Sequence, residues 1–76
     1  MQRRITIEYR RKDIDIEIDS GQKIKTTLKV ISESKREFRG IEEVKDIRLK
    51  KSGRQIGKEK TYEEEGIYSG EIIRCE

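Results

Sequence analysis

Histidine is absent from these 76 residues, and with it the side chain that most often serves as a general base near neutral pH. Cysteine occurs once, as Cys75, which excludes an intramolecular disulfide. Without a Cys/His set there is also nothing to hold zinc or an iron–sulfur cluster. No run of apolar residues exceeds two, too short for a membrane span or the apolar region of a signal peptide. Alanine is missing as well. Thirteen of the 23 hydrophobic residues are isoleucine, and β-branched side chains favour strands. These absences predict a non-enzymatic, cytoplasmic protein with no cofactor and no membrane insertion, either complete or cut from something larger.

What is present is mostly charge. Charged residues make up 46% of the chain and hydrophobic ones only 30%, close to the composition of a disordered segment. Two observations oppose disorder. The 19 basic and 16 acidic residues nearly cancel to a net +3, and the apolar residues are patterned. One strand-rich domain spanning residues 1–76, with a small core, is therefore expected. The isoelectric point of about 9.1 raises nucleic acid as a partner. The basic residues are interleaved with acids, however, apart from Arg10-Arg11-Lys12 and a second cluster of Lys50, Lys51 and Arg54. A solvated ionic surface is the simpler account, and a small basic nucleic-acid-binding domain is the alternative that heparin retention with a steep salt slope would reveal.

Ile5 to Tyr9 and Ile14 to Asp19 both alternate apolar and polar, the period of half-buried strands, and the short polar link between them predicts a β-hairpin. Its outer face carries Asp13, Asp15, Glu17 and Asp19. Successive members stand about 6.5–7 Å apart, too far for several to share one Ca²⁺, so cross-strand ion pairing with Arg4 and Arg10 is expected. Ile24, Thr27, Leu28 and Ile31 have helical spacing, with Val30 at the flank, Ser20 as an imperfectly placed N-cap and Gly40 as the C-terminal breaker. Phe38 should plug the end of the core beside Ile41. Val44 to Leu49 predicts a third strand, Arg54 to Ile56 a short fourth and Glu71 to Cys75 the last.

That order, together with Lys12 to Asp19, Ile24 to Ile31, the Ser52-Gly53-Arg54-Gln55 turn and the Thr61 to Ile67 segment, resembles ubiquitin-like proteins over nearly the whole chain. The resemblance implies an α+β, ubiquitin-like β-grasp: a four- to five-stranded mixed sheet with one α-helix packed on one face. The first hairpin is about one residue shorter than ubiquitin's. Ubiquitin and the sulfur carriers of this fold end in a Gly-Gly tail whose carboxylate is activated, whereas this chain ends Ile73-Arg74-Cys75-Glu76. A modifier or sulfur carrier is thus the alternative only if a tail is missing. Lys50 and Glu76 stand where ubiquitin has its exposed apolar recognition patch, so partners of that patch should not bind. The ending Gly66-Ile67-Tyr68-Ser69-Gly70-Glu71-Ile72-Ile73 is similar to that of bacterial YukD-type proteins. That likeness implies a non-catalytic accessory or regulatory component of a type VII secretion system, acting by docking to protein partners.

The expected docking face is ionic and centred on Arg48, Lys50, Arg54 and Arg74. Cys75 should point inward with Ile73, as a small hydrophobe with a raised pKa rather than a nucleophile, unless fraying exposes it to adventitious dimerisation. Tyr9 is expected inside, Tyr62 as a loop anchor and Tyr68 at the surface, which leaves no stacking platform for bases. Glu63-Glu64-Glu65 reads as a solvated turn.

Overall fold

The computed structural model describes residues 1–76. Strands β1 (Gln2–Tyr9) and β2 (Lys12–Asp19) form the hairpin, followed by helix α1 (Ile24–Ser34). Two short 3₁₀ turns, Arg36–Phe38 and Ile41–Glu43, lead to β3 (Ile47–Leu49), and a long loop precedes β4 (Ile72–Cys75). The sheet order is β2-β1-β4-β3. β1 pairs antiparallel with β2 and parallel with β4, which pairs antiparallel with β3.

The hairpin register sets Ile5 opposite Ile16 and Ile7 opposite Ile14, so both isoleucine series share one face. Their burial differs with position in the sheet. Ile5 and Ile7 on the interior strand are at most 1% exposed, while Ile14 and Ile16 on the edge strand are half-buried. The α1 stripe of Ile24, Leu28 and Ile31 joins that face, with Ile47, Leu49, Ile67, Ile73 and Cys75. Complete burial of a side chain of this size is worth about 1.5–3 kcal/mol. Phe38 closes one end of the core, its ring 6.3 Å from that of Tyr9.

Several local expectations change. Ser20 does not cap α1. It lies too far upstream, and its backbone is held by Met1 and Glu63. The N-cap is Lys23, without a side-chain cap, and the first helical amides instead donate to the carbonyls of Lys60 and Lys58. Gly40, at φ +90°, separates the two 3₁₀ turns rather than ending α1, which stops at Lys35. Buried Ser32 fixes this exit, accepting from the Gly40 amide at 3.0 Å and donating to Glu42 at 3.1 Å. The third strand is confined to Ile47–Leu49, and Arg54 to Ile56 contributes one bridge, Arg48 to Gln55, rather than a strand. Ile56 is nevertheless buried.

Cross-strand ion pairing is also replaced. No ion pair joins β1 to the β2 carboxylates: Thr6 Oγ1 donates to Asp15 at 2.6 Å, and Glu8 sits directly opposite Asp13. Arg10 belongs to the turn and stacks on Tyr9. The turn itself has two central residues, Arg10 and Arg11, at φ 50° and 66°. Two successive positive φ values mark the mirror-image turn that suits hairpin twist and normally takes Asn-Gly.

Candidate functional site

The face of the sheet opposite α1 is covered by no other element. Its rows follow from the register. One row runs Arg48, Arg74, Glu8, Asp13, and the next contains Ile72, Thr6 and Asp15. Lys50, just past β3, donates its amide to the Ile72 carbonyl. The face is therefore divided. Basic side chains occupy the β3/β4 half, and Asp13, Asp15, Glu17 and Asp19 line the β2 edge.

Three of the four expected docking residues meet there and one does not. Lys50 and Arg74 share Glu8 as an acceptor, and Arg48 stands directly opposite Arg74 in the β3–β4 register. Arg54 turns elsewhere, because the register pairs Arg48 with Gln55. Gln55 therefore shares Arg48's face, and Arg54 lies on the Leu49 side at the sheet rim. There its guanidinium donates to the Glu65 carboxylate at 2.8 Å and also to the Glu65 carbonyl.

All four cations already have acceptors. Arg48 pairs with Asp46 at 2.9 Å and donates to the Gly53 carbonyl at 3.1 Å. Lys50 Nζ meets Glu8 at 2.8 Å, and Arg74 meets Glu8 at 3.5 Å and Glu76 at 4.0 Å. The Lys50 hydrogen bond, aided by Arg74 and opposed by some desolvation, holds the Glu8 carboxyl below its ordinary range. The face is thus an internally neutralised lattice, in which a partner must exchange contacts rather than meet bare charge.

The turn expected to be solvated is so at Glu63 and Glu64 but not at Glu65, whose side chain is only 11% exposed because Arg54 and the Gly57 amide draw it inward. Glu65 accepts the Gly57 amide at 2.7 Å, which ties the 54–57 segment to the 61–66 turn and lowers its pKa. Glu64 and Thr61 cap each other's backbone amides at 2.9 and 3.0 Å, a reciprocal capping box. The T-x-x-E spacing carried that signal, whereas nothing local marks Glu65. Tyr62 is fully buried, and desolvation pushes its phenol up to about 12, with Thr27 as the neighbouring hydroxyl. Neither hydroxyl has a partner in hydrogen-bonding geometry. Tyr9 is buried and Tyr68 exposed beneath the Arg3 guanidinium, so the tyrosines share no surface. Cys75 is 3% exposed, and burial raises its thiol to about 12. No three His, Cys, Asp or Glu side chains converge as metal ligands, and no helix is long and apolar enough to cross a membrane.

Solved structures place this arrangement. A de novo design based on ubiquitin superposes with a TM-score of 0.78 at 16% identity, over 99% of this chain and 87% of the design. The chain has a ubiquitin-like β-grasp fold. The ubiquitin-like domain of Plasmodium falciparum Dsk2 gives 0.70 at 14% identity, with all of both chains covered. The N-terminal ubiquitin-like domain of the 4931431F19Rik protein gives 0.73 at 11%, over 99% of this chain and 73% of that one. No family model and no curated protein matches the sequence.

Proposed function

We propose that this chain is a non-catalytic ubiquitin-like protein-interaction module that works in the cytoplasm. In this reading it is of the YukD type, an accessory of a type VII secretion system. The observation that carries the docking role is the uncovered outer face of the sheet, where Arg48, Lys50 and Arg74 form a basic strip beside a carboxylate edge. The strip suits a partner that offers carboxylates, which can take over the places of Asp46 and Glu8. Arg54, bound to Glu65, supports the rim of that face. The YukD assignment draws on the Gly66 to Ile73 ending alone.

The test is co-expression with type VII secretion components and capture of the complex, with and without Arg48→Glu/Lys50→Glu. Capture should fall at least tenfold, while Tm drops by only a few degrees, since exposed ion pairs are worth about 0–1 kcal/mol each. Undiminished capture by the doubly reversed chain would sink the proposed face. Retention on heparin with a steep salt dependence would favour nucleic acid instead.

A further inference from the structure

The cations of the hairpin tip differ from those of the sheet face. Arg10, Arg11 and Lys12 are exposed, and no carboxylate lies within ion-pairing distance of any of them. Two of the three occupy positions that disfavour them. Left-handed backbone brings Cβ against the following carbonyl oxygen, and Gly, Asn or Asp relieve that conflict where arginine does not. Neither arginine makes a side-chain hydrogen bond that would compensate locally. The tip is also shaped. Arg10's guanidinium carbon sits 5.1 Å from the centre of the Tyr9 ring, which orients it. Beside it opens a cleft of about 560 Å³, whose lining includes Arg10, Arg11, Lys12, Val44 and Arg74 together with the carboxylates of Glu8, Asp13 and Glu76.

We infer that this strained tip and its cleft form a binding site for an extended peptide segment with spaced acidic side chains. Its carboxylates would take the free guanidinium forks of Arg10 and Arg11, which match carboxylate geometry, and an apolar residue between them would rest on Val44. The three carboxylates in the same cleft disfavour a dense polyanion such as a polyphosphate or nucleic acid strand. Separated acidic side chains can avoid them. The inference deepens the interaction-module reading by naming the chemistry of the partner, at a site that adjoins the Arg48 and Lys50 strip and shares Glu8 and Arg74 with it.

The experiment uses a fluorescent Glu-Val-Glu-Val-Glu peptide at low ionic strength, read by anisotropy, with thermal melts of the same chains. The unmodified chain should bind this peptide, and should not bind the counterpart with Lys in place of Glu. Arg10→Asn/Arg11→Gly should raise Tm by about 4–8 °C, because the turn is relieved, yet weaken peptide binding at least tenfold. Arg10→Lys/Arg11→Lys keeps the strain and the charge but loses the forks, and should bind with intermediate affinity. Undiminished binding by the Asn-Gly chain, no binding by the unmodified one, or displacement of the peptide by inorganic polyphosphate at far lower charge concentration would overturn the site. The peptide assay needs no secretion component. It therefore stands or falls separately from capture through Arg48 and Lys50.

Discussion

β1 and β2 carry nearly the same alternating pattern and have different fates. Ile7 is completely buried, with β2 on one side and β4 on the other, whereas its direct partner Ile14 stays half-exposed on the sheet edge. The difference belongs to topology. Alternation states which face of a strand turns inward, and the parallel arrival of β4, more than sixty residues after β1 begins, decides which strand becomes interior. Identical side chains on the two strands should therefore differ in worth.

The sharpest contrast is chemical. Cys75 on β4 pairs directly with Tyr9 of β1, and its raised pKa leaves about a thousandfold less thiolate than an ordinary thiol near pH 8. Alkylation by iodoacetamide should thus be slowed in proportion to the small population of the opened chain and become rapid in denaturant. Prompt labelling of the folded chain would show that the interior strand frays like an edge. Because the folded thiol has the higher pKa, its contribution is intact below about pH 9 and declines as pH climbs towards 12.

Next in size are the isoleucines. Ile7→Ala should cost about 3–5 kcal/mol, a large part of the stability of so small a domain, and Ile16→Ala only about 1–2, both read by urea denaturation. Equal losses would abolish the distinction between interior and edge. The smallest expected effect lies outside the sheet. Glu65→Gln should cost on the order of 1 kcal/mol through weakened bonds to Arg54 and the Gly57 amide. Glu65's folded pKa is depressed below 4.5, so its stabilisation is present above that value and vanishes as pH falls through the folded pKa. The Gln variant should accordingly flatten the acid limb of a Tm-versus-pH curve.

Much of the architecture could be read from local pattern. The hairpin alternation, the α1 stripe and the inward turn of Cys75 each follow from a period of two or 3.6. Where the reading failed, the missing information was a partner. Arg54 left the expected face because pairing with Gln55, not spacing along the chain, fixes which side of β3 each loop residue joins. Ser20 does not cap because it lies three residues before Lys23, where the cap falls, and carbonyls from residues 58 and 60, distant in sequence, accept from the first helix amides instead. Arg10 did not pair with the β2 carboxylates, since a two-residue turn carries it out of the strand. Arg4 forms no ion pair although the register sets it opposite Glu17, and nothing in the structure explains that. Of the docking residues, sequence supplied the identities and charges. Their internal neutralisation by Asp46, Glu8 and Glu65 emerges only in three dimensions.

The carboxylates spaced along β2 have a consequence for how the protein behaves in a crowd. β2 is the longest strand with an open flank, the place where another copy would most readily add itself and start a growing ribbon. Two such flanks brought side by side would press a row of negative charge against an identical row, so the molecule discourages its own stacking without covering that edge.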